Sequence, residues 1–115
     1  MMNPIQFDEI LDRVSGNREF VIQMLDLFFE TSRQRLSVLR KDFDDHNYAD
    51  LAEEAHKLKG LIGNLSITKA FSILKDLHEA ANQRNDQRID ILLNELDESI
   101  LEAKAFYQTN SRLTY

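Results

Sequence analysis

His56 stands in the run Ala55-His56-Lys57-Leu58-Lys59-Gly60, which continues through Leu61-Ile62-Gly63-Asn64-Leu65. On a helix advancing about 100° per residue, Leu51, Ala55, Leu58, Ile62 and Leu65 share one face. His56 falls outside that stripe, so the pattern predicts an imidazole turned away from the core. At helical neighbour spacing it is surrounded by Ala52, Lys59, Gly60 and Gly63. Imidazoles, with an ordinary pKa of about 6.5, are mostly neutral near pH 7, and a neutral imidazole is a competent nucleophile toward phosphorus. Lys59 adds a point charge of the kind that holds phosphoryl oxygens. Two glycines near a helix end cost roughly 1 kcal/mol each against alanine. A histidine that a large partner must approach closely gives such glycines a reason; helix termination gives them another.

The pattern His-x-Leu-Lys-Gly on a helix, preceded by Ala and followed by Asn-Leu, resembles the motif of the histidine-containing phosphotransfer (HPt) domain family. The resemblance covers Phe7 to Asp97 and takes in Leu25-Asp26-Leu27-Phe28-Phe29 before the motif and Leu77-His78-Glu79-Ala80-Ala81 after it. It implies a helical bundle that carries a phosphoryl group on one histidine between receiver-domain aspartates. His56 would be the phosphoacceptor and Lys59 would stabilise the phosphoryl oxygens. Ala52, Gly60, Gly63 and His78 would border the approaching receiver, whose aspartate and bound Mg²⁺ reach in line. The metal would belong to the receiver, so no cofactor and no metal site are expected on this chain.

Three positions depart from the family pattern. Leu61 and Ile62 stand where small residues are common. Ser66 replaces a later glycine and is a candidate N-cap for the next helix. His78 occupies a position where the family often has Glu or Gln facing the active histidine.

The elements that must position this site read as helices throughout. Three glycines and one proline in 115 residues leave little punctuation for hairpins. Asn3-Pro4 reads as the start of a short helix carrying Ile5, Ile10, Leu11 and Val14, stopped at Ser15-Gly16. A long helix from Asn17 to Asp44 follows, with Val21, Leu25, Phe28, Leu36, Leu39 and Phe43 inward and Ser32 between them. Phe20, Met24 and Phe29 widen its stripe toward the first helix. The connector 44–47 leaves His46 solvated and lets Asn47 cap a helix from Tyr48 to Asn64. Ile67, Phe71, Leu74, Leu77 or His78, and Ala81 form the next stripe, closed by the polar run 82–85. Asp86 caps a last helix with Ile89, Leu92, Leu93, Leu96, Ile100, Ala103 and Phe106 inward. The expected fold is all-α: an antiparallel up-down-up-down four-helix bundle with a short extra N-terminal helix. Residues 1–115 form one domain, with its core at 4–108 and a loose tail at 109–115. The Met1-Met2 start and self-contained bundle point to a free-standing protein.

Composition excludes several classes. A content of 43% hydrophobic and 30% charged residues is that of a globular domain. No run reaches the roughly 18 apolar residues of a membrane span. The absence of cysteine removes disulfides and thiolate metal sites and agrees with a cytoplasmic location. A net charge of −6 argues against a nucleic-acid partner. There is no P-loop or glycine-rich nucleotide loop, so such a chain is no kinase and passes phosphoryl groups without making them from ATP. The partners expected are receiver domains of a hybrid histidine kinase or response regulator, engaged by a monomer. Two rival readings fit parts of the sequence. Glu53-Glu54-Ala55-His56 has the Glu-x-x-His spacing of bundle di-iron sites, but the only second copy has Lys75 in place of Glu. The other is an HPt-like bundle that only binds a signalling partner, without phosphotransfer.

Overall fold

The computed structural model describes residues 3–110, and all its regular structure is helical. The helices are α1 (Phe7–Arg13), α2 (Arg18–Asp44), α3 (Tyr48–Asn64), α4 (Thr68–Asn82) and α5 (Asp86–Thr109). Asn17, Asn47 and Asn85 cap α2, α3 and α5, each side-chain oxygen accepting a backbone N–H three residues on. The expected cap at Asp86 is therefore one residue late, because Asp86 is already helical.

Three connectors share one geometry. His46, Ser66 and Arg84 sit at φ 56°, 50° and 53°. The next residue in each donates its N–H back across the helix end: Asn47 to Asp42 O at 2.8 Å, Ile67 to Ile62 O at 3.3 Å, Asn85 to Ala80 O at 3.0 Å. This is the Schellman closure of a helix C-terminus, which turns the chain within three residues. Ser66 is thus the left-handed residue of a turn and not the expected cap of α4; Ile67 holds the cap position without a side-chain bond. The Ser66 hydroxyl instead donates to Glu9 Oε1 at 3.2 Å. At the chain start, Asn3-Pro4 lies outside any helix, and α1 begins three residues later behind Gln6. Thr109, expected in the tail, ends α5, and the rest of that tail from 111 onward lies outside the described residues, as does Met1-Met2.

The core is continuous. Ile10 from α1, Val21, Leu25 and Leu39 from α2, Leu51, Ala55 and Ile62 from α3, Leu74 and Leu77 from α4, and Ile89, Leu92 and Leu96 from α5 are all buried. Arg40 of α2 holds Asp90 Oδ1 and Asn94 Oδ1 of α5, both at 2.9 Å. Toward the other end Tyr107 donates to Asp26 Oδ1 at 2.7 Å, while its ring stacks on Phe29. Arg13 of α1 reaches Asn64 O at 2.8 Å, putting a cation on the C-terminus of α3. Phe71 and Phe20, both expected inside, are 38% and 45% exposed. Ala70 and Ile73 take the inward places near the start of α4 instead. Leu36, Phe43 and Phe106 are only half-buried, at the margins of the core.

Candidate functional site

The seam between α3 and α4 is close because α3 turns small residues toward it. Ala52 and Ala55 are buried there. Ala52 lies level with His78, and Gly63 with Phe71, so residue numbers rise along α3 as they fall along α4. Both helices therefore bring their site residues to the same stretch of surface.

His56 is exposed on this seam, as its place outside the apolar stripe predicts. Its ring centroid lies 5.6 Å from that of His78, with the planes tilted by 46°. His78 is half-buried and held from both sides. Its Nδ1 is 2.9 Å from Ala52 O, and a carbonyl only accepts, so Nδ1 carries the hydrogen. Its Nε2 is 3.3 Å from the Asn82 Nδ2 amide, which donates to it. These partners assign the neutral Nδ1–H tautomer. The same Ala52 carbonyl accepts the backbone N–H of His56 four residues along the helix, so one oxygen ties the two histidines together.

Lys59 is half-buried one turn after His56 and forms no ion pair among the described residues. Its neighbour Lys57 behaves differently, reaching Glu53 at 3.3 Å and Glu54 at 3.7 Å. Among the described residues no group of three His, Asp or Glu side chains is arranged to hold a metal.

The two glycines separate in role. At Gly60 a Cβ would meet nothing within 4 Å, so the surface beyond His56 is open there. At Gly63 a Cβ would lie 3.2 Å from Phe71 Cε2. Gly63 has no positive φ, so it is not a terminating glycine; it makes room for the Phe71 ring. Ala52 is buried beside His78, and its carbonyl accepts from that ring. Leu61 is half-buried at the edge of the core, and Ile62 is fully inside. Sequence reasoning missed Asn82 and Phe71 as parts of this surface, since both depend on how α4 lies against α3.

The Hpt domain family model matches residues 23–105, which span α3, α4 and His56. The chain belongs to the Hpt domain family. No curated protein and no solved structure matches it. Hpt domains are helical bundles that carry phosphoryl groups on a histidine in phosphorelays and interact with receiver domains. As a carrier, an Hpt domain is not a kinase. Among the described residues no helix is long and apolar enough to cross a membrane.

Proposed function

We propose that this Hpt domain is a phosphocarrier in which His56 accepts a phosphoryl group from one receiver aspartate and yields it to another. The observation that carries this reading is the exposed imidazole of His56 one turn from Lys59, which has no ion pair among the described residues, with open space over Gly60. In the first transfer the imidazole lone pair attacks phosphorus as the aspartyl-phosphate bond breaks, and the carboxylate leaves with the electron pair. The phosphoramidate then donates to the second receiver by the reverse bond changes. Mg²⁺ on the receiver would screen the phosphoryl charge, and Lys59 supplies the cation on this side. The helices alternate in direction, up-down-up-down around the bundle, which agrees with their three-residue connectors. The protein acts as a monomer with receiver domains of a hybrid histidine kinase or response regulator, in the cytoplasm.

Incubation with a phosphorylated receiver domain tests this. Label should appear on the chain, labile in acid and stable in base. His56→Gln should keep its helical circular dichroism and take no label, since His46 lies in a turn and His78 is half-buried with its Nδ1 held on Ala52 O. Lys59→Ala should slow transfer ten- to a hundredfold, the loss of one charge-assisted contact of about 1.5–3 kcal/mol. Undiminished labelling of the His56→Gln protein would overturn the assignment.

A further inference from the structure

We propose that the groove between α2 and α5 binds a long-chain carboxylate, its carboxylate against Arg33 and Lys104 and its alkyl chain running toward Leu93. This site is independent of the carrier reading of His56. The helices pack in a ring, α2 on α3, α3 on α4, α4 on α5 and α5 on α2, so the groove lies across the bundle from the α3–α4 seam. It is a cavity of about 690 Å³, with Phe29, Ser32, Leu36, Leu93 and Ile100 among its walls.

Two clamps hold the ends of the groove. Arg40 holds Asp90 and Asn94 at one end, and Tyr107 holds Asp26 at the other. Between the clamps no side-chain hydrogen bond or ion pair joins α2 to α5 among the described residues. Ser32 is buried there and donates its hydroxyl to Phe29 O at 3.1 Å, so it presents no free donor to the cavity. The lining on α2 runs from Phe29 to Arg40, about 16 Å at the helical rise, which leaves the cavity a section of about 40 Å². A helix with its side chains is about 10–12 Å across and too wide for that section. An extended alkyl chain fits, and the volume lies within the roughly 300–1,000 Å³ of small-molecule sites.

The charges along the groove set the sign and direction of the ligand. Arg33 and Lys104 both line it, and neither forms a hydrogen bond or ion pair among the described residues. Lys104 is half-buried. The antiparallel clamps bring these two residues to within about one or two turns of each other along the axis. In a chain of net charge −6, two cations without partners beside an apolar wall suit an anion, and the guanidinium fork matches a carboxylate. Arg40, the third cation of the groove, is already held by Asp90 and Asn94. Two acids oppose the ligand. Glu30 is exposed, one turn before Arg33. Asp97 is half-buried, two turns or about 10 Å before Lys104 on α5. Burial holds its carboxyl above the usual carboxylate range, and Arg40 draws it partly back. The carboxylate head is repelled from Asp97, so it takes the Arg33–Lys104 end and the chain extends the other way.

The experiment titrates the full chain with decanoate at submicellar concentration and follows the backbone amides by ¹⁵N NMR. The shifts should saturate and fall on residues 29–40 and 93–104, leaving the amides around His56 in place. The same titration with 1-decanol, which has the chain without the charge, should show binding about fivefold weaker, the effect of an ion pair at the surface. Decyltrimethylammonium should bind more weakly than the alcohol. In the double variant Arg33→Gln and Lys104→Gln, decanoate should bind no better than 1-decanol, while the alcohol keeps its natural affinity. Asp97→Asn should tighten decanoate, since it removes a like charge from the groove. Shifts that never saturate, or that spread over the whole surface, mean adsorption of an amphiphile only and overturn the site. Equal affinity for acid and alcohol in the natural protein overturns the role of Arg33 and Lys104. The three ligands are compared on the natural protein, so a poorly folded variant does not block the decision.

Discussion

Gly63 of α3 lies beneath the ring of Phe71 of α4, and a Cβ on the glycine would stand 3.2 Å from Cε2 and 3.3 Å from Cδ2 of that ring. The glycine therefore belongs to the packing of two helices. Phe71 is 38% exposed, so its ring closes the seam from outside. Two effects oppose each other at this position. Alanine gains about 1 kcal/mol of helix propensity over glycine. Its methyl group pushes the ring outward by a few tenths of an ångström and loses part of that contact.

A double-mutant cycle separates them. Gly63→Ala in the Phe71→Ala background should stabilise the fold by about 1 kcal/mol, the full propensity gain. In the natural background the same change should gain markedly less. Denaturant melts of the four proteins supply the numbers. Equal gains in both backgrounds would show that the ring does not constrain Gly63.

The three shared connectors give a second test. A non-glycine residue in the left-handed region costs about 1–2 kcal/mol, while glycine loses roughly 0.5–1 kcal/mol more backbone entropy on folding. His46 is exposed at φ 56°, and its ring meets Tyr48, with Nδ1 3.3 Å from the hydroxyl and the ring centroids 6.1 Å apart. His46→Gly should raise stability by about 0.5–1 kcal/mol. Ser66→Gly should gain less, because Ser66 is buried and its bond to Glu9, worth about 0.5–1.5 kcal/mol, is lost. A lower denaturation midpoint for His46→Gly would contradict this account of the turns.

What could be read from the residues, and what could not, follows from the range of the forces involved. His56 outward and Leu58 inward follow from a period of 3.6 alone, and the Asn47 cap from a bond to its own helix. Ser66 shows the limit. A serine before a helical run suggests a cap, yet the backbone there answers to the end of α3, where the left-handed turn closes on Ile62. Phe71 shows another limit. Its spacing fits the apolar stripe of α4, but α3 presents a glycine opposite it, and the ring settles over that gap at the surface. The bond from His78 to Ala52 O joins residues 26 apart in the chain, and no periodicity announces it.

A pH effect follows from Asp42. Its carboxyl is held above the usual carboxylate range, chiefly by burial and then by Asp50, Glu54 and Asp45. It also lies in the last turn of α2, where the helix dipole disfavours an anion. A carboxyl whose value is raised by folding leaves more protons on the native state than on the unfolded one. Its favourable contribution is complete at pH below the ordinary carboxylate range, and is lost as pH rises through and just above that range. Asp42→Asn should therefore raise Tm at pH 7 and leave it unchanged near pH 3. A rise of equal size at both pH values would trace the effect to packing, without the charge.

Gly60 allows docking to be separated from chemistry. It is exposed in the interior of α3, one turn beyond His56, with no heavy atom within 4 Å of where a Cβ would stand. A glutamine there has room, and a straight-chain residue in place of glycine gains up to about 1 kcal/mol of helix stability. Gly60→Gln should therefore melt no lower than the natural protein. Phosphoramidate is small and needs no docking surface, so it should label His56 of the variant at the natural rate. In the proposed function a receiver domain brings its aspartate and Mg²⁺ in line over the surface next to Gly60, and the added side chain would stand in that path. Transfer from a phosphorylated receiver should fall at least tenfold. Loss of both reactions together would mean that the glutamine disturbs the imidazole itself. Full retention of receiver transfer would move the docking surface to the other side of His56, toward His78 and Asn82.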